Sequence, residues 1–279
     1  MMEYAMLASG SKGNCFLLRD GTSLIMIDCG TTRKYLKECF EKLGVKREAV
    51  DALLITHDHS DHVSQLRHFR DLAVYSPVEL PDTDVFMVRA LKPFVIETLK
   101  ITPIPLSHDA LNTMGYVIEN GTEKLVYITD TGYVNARYLP LLKGADYIIM
   151  ESNHDMKMLM RTARPQYLKA RIYSDQGHLC NEDCAALLNE IITETTRSVI
   201  LAHISQEANT RQQALTVSVS YLKKNHAGRL AEDLTISAAG QYEIIRRRWN
   251  HEEMDPGSVY CAAGLEYYPD LWSYEQQEQ

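Results

Sequence analysis

The chain lacks several kinds of segment, and each absence excludes a class of protein. Its 279 residues contain no stretch of 18 apolar residues, so the sequence predicts neither a membrane-spanning helix nor a membrane partner. Its first residues lack the basic and then apolar pattern of a secretory signal, which favours a cytoplasmic protein. Because 45% of the residues are hydrophobic, a chain of this length can bury a large core.

Paired cysteines and an excess of basic charge are absent as well. The six cysteines include no Cys-x-x-Cys pair, which is typical of reduced thiols rather than of a disulfide framework. The formal net charge of −8 offers nucleic acid no general electrostatic attraction. Bound divalent cations would still offset the carboxylates of an individual site.

What the chain does contain is a dense group of metal-binding side chains. The sequence His-Asp-His-Ser-Asp-His places three imidazoles and a carboxylate at His57, His59, Asp61 and His62. Such groups repel one another when charged and are costly to desolvate, so packing alone does not explain them. Neutral imidazoles and carboxylates are ligands that suit zinc or manganese. The preceding apolar run predicts that the motif lies on a loop after a buried strand.

Three further candidate ligands occur in matching contexts. His108, Asp130 and His203 each come at the end of an apolar run with the character of a strand. The ends of neighbouring strands meet at one rim of a sheet, where α/β proteins commonly place their chemistry. We therefore expect these three side chains to converge on the loop that carries the His-Asp motif.

Taken in order, these motifs resemble the metallo-β-lactamase superfamily, whose signature is His-x-His-x-Asp-His followed by a His, an Asp and a His. The resemblance implies an α/β fold, the four-layer αββα sandwich, whereas periodicity alone predicts only mixed α/β structure. It also implies two divalent metal ions, Zn²⁺ or Mn²⁺. One would be held by His57, His59 and His108 and the other by Asp61, His62 and His203, with Asp130 bridging them.

The rest of the chain predicts further elements and a domain boundary. Helical patterns cover residues 31–43 and 60–69, and Asn181 is the predicted N-cap of a longer helix. We expect one catalytic domain over residues 1–245. Residues 246–279 match no known pattern and form a C-terminal extension of unknown role.

A Gly-rich turn near the start of the chain has two interpretations. It can simply shape a hairpin, or it can present Ser9, Ser11, Asn14 and backbone N–H groups to a phosphate. Asp28, in an Asp-x-Gly motif shared with the superfamily, is expected to brace the metal loop rather than to bind metal.

Two later motifs supply candidates for proton transfer and substrate binding. Hydrolases with a metal-activated water still need a proton for the leaving group, and a histidine held by a carboxylate suits that task. We therefore predict that Glu151 and His178 act in catalysis, as a similar pair does in the tRNA 3′-processing endonucleases of the superfamily. The alternative for His178 is a surface histidine at a helix start. Asn153 and His154 are predicted to contact substrate, although His154 could instead pack against the site wall.

Several of these motifs together resemble the YycJ/WalJ-like subfamily, which is linked to 5′-exonuclease activity on DNA and to DNA repair. This resemblance implies a metal-dependent phosphodiesterase whose activated water attacks the phosphate, with Asp61 as an anchor for that water and His178 as the acid. The partner would be a nucleic acid, most simply DNA. The motifs lie at residues 7–14, 57–62, 129–133, 151–155, 177–183 and 201–205. Cys180 departs from the pattern, because a small hydroxyl residue is common there.

The metal centre alone leaves other functions open. It would also serve a carboxyl-ester or thioester hydrolase of the lactonase or glyoxalase-II type, or a tRNA 3′-processing-like ribonuclease. A non-catalytic protein that keeps metal for folding is a further alternative, against which the complete ligand set argues. Finally, the basic triplet 246–248 beside Trp249 is either a solvated face or a grip on nucleic acid with a stacking base.

Overall fold

Two mixed β-sheets form the centre of the molecule. The structure, a computed structural model, describes residues 1–228, 230–249 and 260–261. Within these residues the first sheet has the spatial order β14-β1-β2-β3-β4-β5-β6. Its strands are β1 (Met2–Ala8), β2 (Cys15–Asp20), β3 (Ser23–Ile27), β4 (Ala52–Leu54), β5 (Ala73–Ser76), β6 (Val85–Met87) and β14 (Ile245–Arg247).

The second sheet has the order β15-β13-β12-β11-β10-β9-β8-β7. Its strands are β7 (Phe94–Ile96), β8 (Leu99–Pro105), β9 (Met114–Glu119), β10 (Lys124–Ile128), β11 (Tyr147–Glu151), β12 (Ser198–Ala202), β13 (Thr235–Ala238) and β15 (Tyr260–Cys261). Strands β3 to β6 run parallel, as do β10 to β13. Every residue of β3, β11 and β12 is buried, as in parallel strands covered on both faces.

Helices pack on the outer faces of both sheets. They are α1 (Arg33–Lys42), α2 (Ser60–Val63), α3 (Leu139–Leu142), α4 (Met156–Arg161), α5 (Gln166–Tyr173), α6 (Asn181–Ile191) and α7 (Arg211–Asn225). Among the described residues, none of the helices combines the length and apolar content needed to cross a bilayer.

Three apolar clusters separate the layers. One lies between the sheets and contains aromatic side chains of both, including Tyr4, Phe16 and Tyr127. A second joins the outer face of the first sheet to α1, and a third joins the second sheet to α3, α6 and α7. The order is therefore helix, sheet, sheet, helix, which confirms the predicted four-layer αββα sandwich.

Two of the predicted helices differ from those observed. The region 60–69 is not one helix, because α2 ends at Val63 and only a 3₁₀ turn, Leu66–His68, follows. In α6 the N-cap is Cys180, whose sulfur accepts a hydrogen bond from the Asp183 N–H. Asn181 instead turns inward, where its side chain is fully buried. Its amide forms hydrogen bonds with Ser152 and Asn209, which satisfy its buried polar atoms.

The sheet continues past residue 245, where the sequence predicted the catalytic domain to end. Strand β14 pairs antiparallel with β1 across that position. Trp249 follows it and is fully buried, donating from Nε1 to the Leu43 carbonyl at 3.1 Å, with the Arg19 guanidinium 4.2 Å from its ring centroid. A buried indole offers no face to a nucleic-acid base, so the stacking role considered for Trp249 is wrong. Residues 250–259 and 262–279 of the predicted extension lie outside the described residues.

Burial of Trp249 predicts that the domain needs the residues just beyond 245. Trp249→Ala should lower the free energy of unfolding by about 3–5 kcal/mol, the usual range for a large aromatic side chain removed from a core. Trp249→Phe, which keeps an aromatic ring, should cost less. Urea unfolding of the three proteins measures this, and an unchanged midpoint in Trp249→Ala would place the residue outside the cooperative unit.

Candidate metal centre

All seven predicted ligands lie at the carboxyl-terminal rims of the two sheets. The motif 57–62 follows β4 and its last residues open α2. Asp130 follows β10 by two residues, His203 follows β12 directly, and His108 lies three residues beyond β8. The structure therefore brings together residues that are up to 146 positions apart, from His57 to His203.

Sharp backbone turns aim several of these side chains at the centre. Asp28, Asp130 and His203 have φ angles of 58°, 58° and 53°, in the left-handed region that non-glycine residues rarely adopt. Each follows the end of a buried strand, where a left-handed residue redirects the chain at once. Such conformations persist only where the surroundings enforce them, and they concentrate at functional sites.

Among the described residues the side chains form four overlapping groups of potential ligands around Asp130, and two of these groups match the predicted sets. Nitrogen atoms of His57, His59 and His108 lie within 4.8 Å of one another, as do ligand atoms of Asp61, His62 and His203. The carboxylate of Asp130 lies between the sets: its Oδ2 is 3.2 Å from His62 Nε2, and its Oδ1 is 3.4 Å from His203 Nε2 and 4.0 Å from His108 Nε2. These sets are those that the superfamily resemblance implied.

Four of the predicted ligand histidines are held through Nδ1, which directs Nε2 to the centre. In all four the Nδ1 atom has a partner: Thr56 Oγ1 for His57, Asp28 for His62, the Gly177 carbonyl for His108 and Glu151 for His203. The Nε2 atoms of His57 and His203 are buried and have no hydrogen-bond partner within the described part of the chain. Buried polar atoms are rarely left unpaired, so this donor set fits divalent cations.

Asp28 occupies the bracing position expected from the sequence. Its carboxylate, fully buried, accepts from His62 Nδ1 at 2.7 Å and from the N–H and hydroxyl of Thr56 at 2.9 Å each. Gly30 holds the same loop by close approach, since a Cβ there would lie 1.6 Å from the Asp61 carbonyl oxygen. The rim of the first sheet thus fixes where Asp61 and His62 point.

Glu151 connects His178 to the ligand cluster. Its Oε1 accepts from His178 Nδ1 at 2.8 Å and from His203 Nδ1 at 3.0 Å, and its Oε2 accepts from the Thr131 N–H at 2.8 Å. The structure therefore brings the predicted pair into contact, and it adds a second task, the orientation of His203, that the sequence did not indicate. The side chain of His178 is 20% exposed, so its Nε2 edge can meet a substrate while Nδ1 is held.

The Gly-rich turn mostly supports the metal loop. The Asn14 amide nitrogen is buried, 2.9 Å from His62 Nε2 and 3.3 Å from Asp61 Oδ2, and its oxygen accepts from the Gly10 N–H. Ser9 Oγ accepts from the His203 N–H at 2.7 Å. Ser11 alone of the three predicted phosphate contacts has an exposed side chain.

The two other predicted substrate contacts are buried. Asn153 donates to the His203 carbonyl at 2.8 Å and lies 3.2 Å from its Nδ1. His154 is 1% exposed, and burial lowers its pKa to about 4. Asn153 therefore supports His203, and His154 is buried next to it in the chain.

Sequence reasoning missed one charged pair at the edge of the site. Asp109 Oδ1 lies 3.7 Å from His59 Nε2 and 3.4 Å from His108 Nε2, and its other oxygen bonds the Arg171 guanidinium. The sequence did place the Asp109 carboxylate directly after a predicted ligand, His108. Nothing in the sequence indicated that Arg171, 62 residues later, would reach it.

The buried charges shift the pKa values of the ligands in opposite directions. Burial, with the positive charge of His62, lowers the pKa of His57. For His62 the carboxylates of Asp28 and Asp130 outweigh burial and raise the pKa well above its usual value. Burial is likewise outweighed at His203, where Asp130, Asp61 and Glu151 raise the pKa to about 10. Without metal, protons on His62 and His203 therefore offset part of the negative charge of the buried carboxylates.

Comparison with known proteins agrees with this geometry. A family model, the Beta-lactamase superfamily domain, matches residues 24–204. Exodeoxyribonuclease YycJ of Bacillus anthracis is 34% identical over 230 residues, covering 76% of this chain and 86% of that protein. Exodeoxyribonuclease WalJ of Streptococcus pneumoniae is 31% identical over 244 residues, covering 81% and 90% respectively.

Solved structures show the same fold. The metallo-β-lactamase fold protein YhfI of Bacillus subtilis has a TM-score of 0.65 at 16% identity, covering 88% of this chain and 99% of that one. The short form of human tRNase Z has a TM-score of 0.56 at 17% identity, covering 87% and 98%. At these identities the likeness concerns the fold alone.

The raised pKa values predict that metal binding releases protons. Because the pKa values of His62 and His203 are raised, the metal-free protein should hold protons on these imidazoles that filling the site releases. Because protons compete with the metal, affinity should increase as the pH rises toward the His203 pKa of about 10. Titration calorimetry in buffers of different ionisation enthalpy measures the release. A binding enthalpy that is the same in every buffer would contradict it.

Proposed function

This chain is a metal-dependent hydrolase of the β-lactamase superfamily and belongs, within it, to the YycJ/WalJ family; we propose that it is a dinuclear phosphodiesterase acting as a DNA 5′-exonuclease in DNA repair. Both curated relatives are named exodeoxyribonucleases, which supports DNA as the substrate and the cytoplasm as the compartment. The proposed catalytic domain includes Trp249, since β14 crosses residue 245.

The observation that carries the proposal is the pair of ligand sets with the Asp130 carboxylate within 4.0 Å of a histidine nitrogen of each. One divalent ion, zinc or manganese, would be held by His57, His59 and His108 and the other by Asp61, His62 and His203. Two such ions supply Lewis acidity that activates water and stabilises the charge of a phosphodiester transition state. The carboxylates of Asp61 and Asp130 lie at the meeting point of the sets, where they would accept hydrogen bonds from the attacking water and fix its direction.

The second requirement of phosphodiester cleavage is a proton for the departing oxygen. His178 is held through Nδ1 by Glu151, so its Nε2–H is the group positioned to donate. Glu151 is fully buried and also bonded to His203, which fixes the imidazole relative to the ligand cluster. We assign His178 as the general acid and Glu151 as the residue that orients it.

This pair favours a phosphodiester over a thioester or carboxyl-ester substrate with a good leaving group. A thiolate can leave near neutral pH without a proton, because thiol pKa values lie near 8.5. An alkoxide leaving from a nucleotide is far more basic and needs the acid. A hydrolase of thioesters would gain little from a histidine held in this position.

The predicted substrate contacts are proposed to act either directly on the phosphate or through the candidate metal ligands. Ser11 is the exposed side chain of the Gly-rich turn and is proposed to donate directly to a phosphate. Ser9, Asn14 and Asn153 are buried against Asp61, His62 and His203, and are proposed to affect substrate through those residues. His154 would form the wall behind them.

The metal assignment predicts a joint loss of turnover and metal. The wild type should hold two transition-metal ions per chain and remove nucleotides from 5′-labelled DNA with manganese or zinc. His59→Ala and Asp130→Ala should each abolish cleavage and reduce metal content, with unfolding still cooperative. The measurements are elemental analysis and a gel assay on DNA, RNA and a thioester. A single ion per chain would contradict the dinuclear centre. Hydrolysis of the thioester at a higher rate than DNA cleavage would contradict the nuclease assignment.

A separate prediction distinguishes proton donation from water activation. His178→Ala should keep both metals yet lose about 10²–10⁴-fold in the rate of DNA cleavage, the usual contribution of a positioned acid. A nitrophenyl phosphodiester, whose leaving group needs no proton, should be cleaved with a much smaller loss. Glu151→Gln also changes the contact to His203, so it should lower metal affinity and lose rate on both substrates. In His178→Ala, equal losses on both substrates would show that His178 is not the acid.

A further inference from the structure

The segment between Asp155 and Asp175 differs in charge from the rest of the chain. Residues 156–174, here called the α4–α5 segment, contain five basic residues and no acidic residue, in a protein with a net charge of −8. The basic residues are Lys157, Arg161, Arg164, Lys169 and Arg171. This concentration of positive charge lies in the stretch of sequence that connects His154 to His178.

Both ends of the α4–α5 segment are fastened to the proposed active site. Asp155 caps α4 and directly follows His154. At the other end, the His178 N–H donates to the Ile172 carbonyl at 2.8 Å, and the Gly177 carbonyl accepts from the ligand His108 at 3.1 Å. Gly177 itself must be glycine, since a Cβ there would lie 2.1 Å from the Ile172 oxygen.

Inside the segment, one lysine is structural, Arg164 pairs with Glu207 at 3.0 Å, and the other basic side chains are exposed. Lys169 is 4% exposed and its Nζ donates to the Met160 carbonyl at 2.7 Å, so it joins α5 to α4. Lys157 and Arg161 are exposed and four residues apart on α4, with Met160 (43% exposed) beside them. Cationic and large apolar side chains thus share one face of this helix.

The same combination recurs on α5. Tyr167 is 72% exposed and lies four residues before the exposed Arg171, and Tyr173 is 48% exposed at the end of the helix. Arg171 contacts Asp109, whose other carboxylate oxygen lies 3.7 Å from His59 Nε2. Exposed cations and rings therefore occur on both helices, and the second helix reaches the edge of the metal centre through Arg171 and Asp109.

We propose that the α4–α5 segment is the surface that binds single-stranded nucleic acid and leads it to the active site. The inference rests on the proposed nuclease function and specifies how the substrate is held. Phosphates are attracted by Lys157 and Arg161, while Tyr167 and Tyr173 offer planar faces on which bases can stack. Stacking on an exposed ring requires unpaired bases, so the occupant is a single strand rather than a duplex. On a chain of net negative charge, this local patch supplies the charge complementarity.

The test compares two variants with equal change of charge. Lys157→Gln/Arg161→Gln alters the proposed surface. Lys223→Gln/Lys224→Gln is the control, in the last turn of α7, about 20 Å along the helix from its start near the active site.

Binding of a short single-stranded phosphorothioate DNA, which resists cleavage, is measured by fluorescence anisotropy at several salt concentrations with the metal-loaded protein. The first variant should bind more weakly and lower the slope of log affinity against log salt by about 1.4, because each phosphate that is no longer neutralised lowers it by about 0.7. The control should keep the wild-type slope.

A third variant separates stacking from charge. Tyr167→Ala should weaken binding by on the order of tenfold without changing the salt slope, because it removes a ring and no charge. Metal content and unfolding temperature, measured on every variant, exclude damage to the site. Wild-type affinity and slope in Lys157→Gln/Arg161→Gln, or an effect equal to that of the control, would overturn the inference. So would a slope change seen with duplex and not with single-stranded DNA. Binding is measured without turnover, so this result is distinct from failure of the nuclease proposal, in which no nucleic acid is cleaved.

Discussion

One electrostatic constraint underlies the structure: the carboxylate of Asp130 is buried among imidazoles, away from the protein surface. Its carboxylate is 2% exposed and lies within 4.0 Å of nitrogen atoms of His62, His108 and His203. A buried carboxylate is stable only where positive charge surrounds it, whether protons on histidines or metal ions. The rest of the site can be understood as the means by which that charge is kept in position.

Each sheet contributes one buried acid that orients the histidines from behind. Asp28 follows β3 and holds His62, whereas Glu151 ends β11 and holds both His203 and His178. The two sheets thus provide similar supports on opposite sides of Asp130. Because the supports contact Nδ1 atoms, the Nε2 atoms are the ones directed to the centre, and a change in either acid should alter metal affinity as well as rate.

Sequence patterns predicted the parts of this arrangement that are local or that end a strand. The motif 57–62 and the residues after apolar runs predicted side chains that do lie together as candidate ligands, because metal chemistry restricts which residue types can occur there. Other features depend on distant backbone approaching, which spacing does not encode. Asn14 turns inward because the metal loop reaches its turn, and the Asp109–Arg171 contact depends on how the α4–α5 segment folds back. The burial of Trp249, which was considered as a stacking residue, could not be foreseen because the pairing of β14 with β1 joins distant parts of the chain.

The central claim is that Asp130 lies between two metal ions, and anomalous diffraction from crystals of the manganese-loaded protein tests it most directly. The account predicts two peaks at the manganese edge, one beside the Nε2 atoms of His57 and His108 and one beside those of His62 and His203, with a carboxylate oxygen of Asp130 at each. A single peak, or a second ion that does not contact Asp130, would contradict it.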